Sequence, residues 1–257
     1  MRLQRLSKIG IQRELRVAWF DFAHRLHLSG CAKVEAREQI YDFLDGAPGF
    51  ESPPTAQSKK YIANVLIKSW INPDCDLVDL RDDAASLLQS QPALGMPLHW
   101  IMVGAAYPFW FSVSTVVGRL LSLQSQVTQK QIVTRLKEDY GDRQTISRRA
   151  RYVIRSYVAW GVLEDADGTG NYRNGARTVI NDISLIGLMF ESVLQNRLDG
   201  RQALSLLLRS PALFPYQLPA VSGNMISSSN NRIEVSRFAT DDEILRLDEA
   251  TRHRKLV

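Results

Sequence analysis

The chain has 257 residues, 45% hydrophobic and 23% charged, which excludes a disordered polymer and suffices for a buried core. A net charge of +5 favours an anionic partner. Two cysteines, Cys31 and Cys75, exclude a disulfide framework and lead us to expect a reducing, cytoplasmic setting. The opening stretch, MRLQRLSKIGIQRELR, is basic without an apolar run and does not read as a secretory signal.

In chain order, Leu15, Trp19, Phe22 and Leu26 share one face at helical spacing, and Gly30 ends that helix. Further helices are predicted over 32–44, 55–70 and 77–89, with the turn-forming DGAPGFESPP between the first two. Asp74 and Asp76 fall at the start of the last one, where negative charge is favourable. Residues 98–118, LHWIMVGAAYPFWFSVSTVVG, contain no Asp, Glu, Lys or Arg and reach the roughly 20 residues of a membrane span. Pro108 in their middle, with His99, Ser112, Ser114 and Thr115, favours two buried helices meeting at Tyr107-Pro108 over a membrane anchor.

Val113, Val116, Val117, Leu120 and Leu121 predict a helix packed under the next two. Thr128 is an N-cap that can form a capping box with Gln131, and Val127 with Ile132 fits the accompanying hydrophobic staple. Ile132, Val133 and Leu136 supply the buried face; Gly141 ends the helix, and Asp142 is expected to cap its successor. In that successor Ile146, Ala150, Val153 and Tyr157 line one side. The other side carries Gln144, Arg148, Arg151 and Arg155, flanked by Thr145 and Tyr152. No Asp or Glu falls between Arg143 and Trp160. Like charges three or four residues apart repel, so this row of guanidinium groups calls for an anion outside the helix. Arginine grips phosphate with a two-pronged planar fork and matches the O6 and N7 edge of guanine. Gln144 suits adenine, and Thr145 suits a phosphate.

After Gly161 the pattern shortens to a strand at 162–165, a turn at 167–171 and a return strand at 177–180 that would close a hairpin. Tyr172, Arg173 and Arg177 are placed on it, within reach of neighbouring backbone or the minor groove. Helices are predicted over 183–195 and 200–208, followed by a polar loop, SGNMISSSNNR, and a strand at 233–238. Thr240 with Glu243 is read as the cap of a last helix.

The run Asp142-Arg143-Gln144-Thr145-Ile146-Ser147-Arg148, then Val153, Tyr157 and Trp160-Gly161-Val162-Leu163, resembles the winged helix-turn-helix superfamily of DNA-binding domains. There a polar cap, a Ser or Thr, an apolar residue and an Arg open the recognition helix, and a Gly precedes the first wing strand. The resemblance covers residues 112–180 and implies that Gln144, Thr145 and Arg148 face a DNA groove. With the rest of the basic face and the hairpin, the candidate nucleic-acid contacts are Arg143, Gln144, Thr145, Arg148, Arg151, Tyr152, Arg155, Arg173 and Arg177.

Other signals read as structural. His24, His27 and Cys31 share a helical face and would need Cys75 to complete a zinc site, but Gly30 breaks the helix first, so they are read as surface residues and no metal is expected. Asp74, Asp76, Asp79, Asp82 and Asp83 fit a helix start and an exposed face rather than a magnesium site. Gly168-Thr169-Gly170 lacks the strand, helix and lysine of a phosphate loop and is a turn. Trp100, Tyr107, Phe109, Trp110 and Phe111 lie in the least polar stretch and are assigned to the core. There is no nucleophile elbow and no His-Glu-x-x-His, so a non-catalytic protein without a cofactor is expected.

The expected fold is mainly α with a small β wing. A helical region at 1–92 and another with one short strand at 182–257 flank a winged helix-turn-helix at 93–181. The expected partner is double-stranded DNA, with a homodimer or partner subunits held through the flanking regions. Two alternatives stand beside it: an accessory subunit of a larger DNA-handling complex acting through protein contacts, and a membrane-associated scaffold anchored through 98–118.

Overall fold

A computed structural model of the chain describes Arg5 and residues 9–237 and 242–253. The protein is mainly helical, with three small sheets. Helix α1 (Val17–Leu28) buries Trp19, Phe20, Ala23, His24 and Leu26. The buried stripe is therefore rotated from the expected one: Phe20 points inward, and Phe22 lies half-buried, stacked on Phe43 at 4.1 Å. Helix α2 (Lys33–Gly46) follows, then α3 (Ala56–Leu66), where Thr55 Oγ1 accepts the Ser58 N–H at 3.2 Å and a π turn, Ile67–Ile71, extends the C-terminal end.

Helix α4 (Val78–Ser90) follows a 3-10 turn at Cys75–Leu77. Asp74 and Asp76 stand ahead of it as expected, yet their charges are met by a side chain rather than by the helix dipole. Arg5 donates to Asp76 at 2.7 and 2.8 Å and to Asp74 at 3.2 Å. A full guanidinium charge in contact outweighs the half-charge of a helix end.

Helices α5 (Gly95–Ala106) and α6 (Pro108–Leu121) meet at Tyr107 with a bend of 115°. Pro108 forces the break, because the residue before a proline is driven out of the helical region; Tyr107 sits at φ −128° and ψ 87°. Apart from Met96, every residue of α5 is buried, as befits a helix apolar on all sides. Among the described residues no single helix is long and apolar enough to cross a membrane.

Strand β1 (Gln126–Thr128), helix α7 (Gln129–Tyr140), helix α8 (Gln144–Ala159), strand β2 (Leu163–Asp165) and strand β3 (Asn171–Asn174) come next. The three strands form an antiparallel sheet in the order β1-β3-β2, with Val127 opposite Tyr172 and Glu164 opposite Arg173. The hairpin thus closes on 171–174, not on the expected 177–180. Val127 and Tyr172 bury each other's side of the sheet, which draws β3 inward, and Tyr172 becomes a core residue. Thr178–Val179 (β4) leaves the hairpin and pairs in parallel with Tyr216–Gln217 (β6).

Helix α9 (Ile183–Gln195) matches its predicted bounds, with Asp182 as cap. Residues 201–203 form strand β5 (Arg201–Ala203) ahead of the short helix α10 (Leu204–Leu208), so the helix expected from 200 starts late. The polar run expected as a loop holds helix α11 (Gly223–Ser229), capped by Ser222 and anchored by buried Ile226. Strand β7 (Ile233–Arg237) bears out the expected one except for Phe238, which lies outside the described residues along with Thr240. Glu243 opens a strand, β8 (Glu243–Leu247), instead of capping a helix. Leu245 and Leu247 alternate with exposed Arg246, the period of a strand against a core. A short helix, α12 (Glu249–His253), ends the described chain. The third sheet has the order β5-β8-β7.

Residues from the N-terminal, central and C-terminal stretches join one hydrophobic core running from Ile11 to Leu247. Trp100 of α5 sits at its centre, within 6.2 Å of Trp110, Tyr157, Trp160, Phe214 and Tyr216. Trp100, Tyr107, Phe109 and Trp110 are buried, and Phe111 is partly so, as expected.

Candidate nucleic-acid interface

Helix α8 is set by its two ends and one buried side. Ahead of it, α7 keeps its predicted capping box: Thr128 Oγ1 accepts the Gln131 N–H at 3.0 Å, and Gln131 Oε1 accepts the Thr128 N–H at 2.8 Å. Asp142 does not cap α8 as expected; its carboxylate pairs with Lys137 at 2.6 Å, and Arg143 holds the N-cap position without a side-chain bond. At the other end the Gly161 N–H reaches the Val158 carbonyl and the Val162 N–H reaches the Tyr157 carbonyl, a Schellman closure. That closure needs φ of 69° at Gly161, and Gly175 packs so tightly on its carbonyl that a Cβ at 175 would lie 2.1 Å from it.

Ile146, Ala150, Val153, Ile154 and Tyr157 are wholly buried. The Tyr157 hydroxyl donates to the Trp110 carbonyl at 2.8 Å, tying α8 to α6. The back of α8 also holds the N-terminal segment: Leu15 N–H donates to Ser156 Oγ at 2.9 Å, and Trp160 Nε1 donates to the Leu15 carbonyl at 3.0 Å.

The outward side carries the predicted residues. Arg143, Gln144, Thr145, Arg148 and Arg151 are exposed, and Tyr152 and Arg155 are half-exposed. Among the described residues neither Arg148 nor Arg151 pairs with a carboxylate. Arg155 differs. It donates to both oxygens of Asp165 on β2, at 2.8 and 3.0 Å, and this hydrogen bond raises its pKa against the opposing effect of burial. The expectation that the whole row lacks an internal counter-ion therefore fails at Arg155, because the hairpin folds Asp165 back onto the helix. On the hairpin itself Arg173 pairs with Glu164, its cross-strand neighbour, at 2.9 Å. Arg177 is exposed but lies beyond β3, outside the hairpin.

Two troughs flank α8. One, of about 860 Å³, lies between α8, the start of α7 and the 165–172 turn, and includes Lys130, Arg151, Arg155, Asp165 and Gly170. The other, of about 590 Å³, lies between α8 and the N-terminal segment. Arg13, Arg16, Arg148, Arg151 and Arg155 converge on it, with Glu14 as the one carboxylate among the described residues, over a floor that includes Trp19 and Phe50. Burial, then the adjacent Arg148 charge, push the Arg149 guanidinium below its usual range.

Sequence reading missed Arg13, Arg16 and Lys130. A signal was present for the first two: the opening stretch carries Arg2, Arg5, Lys8, Arg13 and Arg16 against a lone Glu14, the same one-signed bias that singled out α8. What it lacked was a helical period to place them on a face.

The other clusters resolve into packing and ion pairs. His24 is buried, not on the surface, and its Nε2 lies 3.3 Å from the Ala85 carbonyl. Gln39 donates to Cys31 Sγ at 3.6 Å. Asp82 contacts Arg81 and His27, and Asp83 pairs with Arg232. Among the described residues no group of three or more His, Cys, Asp or Glu is placed to hold a metal ion. Comparison with family models, curated proteins and solved structures finds nothing that matches this chain.

Proposed function

We propose that this protein binds double-stranded DNA without catalysis and that α6 to β3 act as a winged helix-turn-helix, with α8 in the major groove. The observation that carries the reading is the pair Arg148 and Arg151: exposed on one side of α8, with no carboxylate partner among the described residues, above a fully buried opposite side. A cation row without internal counter-ions is stabilised by phosphates, and its guanidinium forks reach guanine edges. Two helices joined by a tight glycine turn and followed by a hairpin are also what the winged helix resemblance implies. Gln144, Thr145 and Arg143 at the start of α8 set the register on the groove, while Arg155 and Arg173 start from existing ion pairs and contribute less.

The test is a titration of the whole protein against labelled random and genomic duplexes at two salt concentrations. Saturable binding that weakens steeply with salt supports the reading. A strong preference among genomic fragments indicates a site-specific binder, and none indicates an accessory subunit of a DNA-handling assembly. Absence of duplex binding at low salt refutes the proposal.

A further inference from the structure

We infer that the N-terminal segment is a second phosphate clamp: Arg13 and Arg16 hold the DNA strand on the side of α8 away from the hairpin. This rests on the duplex-binding reading above and adds residues far from α8 in sequence.

The geometry is that of a ridge between two troughs. Arg151 and Arg155 line both, so α8 separates a trough walled by the hairpin and Lys130 from one walled by Arg13 and Arg16. An α-helix with its side chains is about 10–12 Å across, and the major groove is about 12 Å wide. A helix seated there has a sugar-phosphate backbone along each flank. Whatever stands beside the helix therefore meets phosphates on both sides, and both troughs here offer cations.

Arg13 is held ready for such a contact. Its Nε donates to Ser58 Oγ at 3.0 Å and one terminal nitrogen donates to the Gln12 carbonyl at 2.8 Å. The guanidinium also lies 5.3 Å from the Tyr61 ring and 5.8 Å from the Tyr152 ring, and among the described residues it meets no carboxylate. Leu15 ties this segment to Ser156 and Trp160, so its arginines are fixed relative to α8. Arg16 is bound at 2.7 Å by Glu14, an internal carboxylate that a DNA phosphate has to displace.

The experiment uses the full chain and a labelled 20-base-pair duplex, with binding measured across a salt series. Arg13→Gln with Arg16→Gln removes two phosphate contacts, so the slope of log K against log salt flattens by about 1.8. Low-salt affinity falls roughly tenfold, and the ranking of different duplex sequences stays as in the parent protein. Glu14→Gln frees Arg16 and tightens binding severalfold, a gain that misfolding cannot produce. Should Arg13→Gln impair folding, Arg16→Gln and Glu14→Gln decide alone. If the protein binds duplex but these variants keep the parent affinity and slope, the clamp is refuted and the α8 reading stands. If the folded parent protein binds no duplex, both fall.

Discussion

In the C-terminal half, Arg232 lies buried against Glu191 and Asp83, whereas Arg148 and Arg151 stand open on α8. Arg232 donates to Glu191 at 2.8 and 2.9 Å and reaches Asp83 at 2.7 Å. Burial works against its charge, but the hydrogen bonds it donates to Glu191 and Asp83, with their negative charges, more than offset it and raise its pKa. Glu191 in turn receives a hydrogen bond from Asn230 at 2.7 Å. That arginine is closed within the fold. Among the described residues Arg148 and Arg151 lack such partners, and water or a ligand must supply them. The residue type is the same; the carboxylates that distant segments bring alongside decide whether it holds the fold or binds something else.

The largest effect should come from breaking the closed unit. Arg232→Ala leaves Glu191 buried and unpaired, and should cost about 3–5 kcal/mol of stability in urea denaturation, with duplex affinity of the folded fraction unchanged. Arg148→Ala combined with Arg151→Ala should do the reverse. Duplex binding should weaken by about 2 kcal/mol or more, while stability moves by no more than about 0.5 kcal/mol because both side chains are exposed. A stability loss as large as that of Arg232→Ala would erase the distinction between the two regions. Arg155 is intermediate, and Asp165→Asn releases it; duplex affinity should then rise by about 0.5–1 kcal/mol, readable as a two- to fivefold lower Kd.

Acid should separate the regions once more, with the smallest effect. His99 is wholly buried, and burial holds its pKa below the usual value of 6.5 although Asp21 pulls it upward. Burial would raise the Asp21 pKa, but the hydrogen bond and charge of His99 outweigh it and lower it. His99 Nε2 lies 2.9 Å from Asp21 Oδ1, and among the described residues Nδ1 has no partner. A neutral ring donating through Nε2 leaves only a lone pair at Nδ1, whereas protonation would strand an N–H there. Below about pH 6.5 the unfolded chain takes up protons that the folded one refuses, so stability falls as pH falls through that range. His24 and His27, also lowered by burial, add to the same trend. Thermal melting at pH 7.5 and 5.5 should show the drop, reduced in His99→Gln. Arginine does not titrate there, so duplex affinity of the folded protein should stay level between these values.

Local signals were legible in the sequence where they acted through neighbours along the chain. The Thr128 capping box, the break at Pro108, the bounds of α9 and the inward side of α8 are all short-range patterns, and each appears as expected. Partners from distant segments were not legible. Asp165 reaches Arg155 through the hairpin, and Arg5 reaches Asp76 across 71 positions. The return strand at 171–174 was misplaced because Asn171 reads as part of the turn, and the buried neighbour that Val127 offers Tyr172 comes from a segment 45 positions away. The second wall of the candidate interface, Arg13 and Arg16, was hidden for the same reason: non-helical backbone carries no period from which a face can be drawn.

The most direct test of the account compares salt dependence of duplex binding for the parent chain and for Arg148→Ala with Arg151→Ala. If those two side chains replace condensed counter-ions, the slope of log K against log salt flattens by about 1.8 in the double variant. Equal slopes and equal affinities in two well-folded proteins would contradict it.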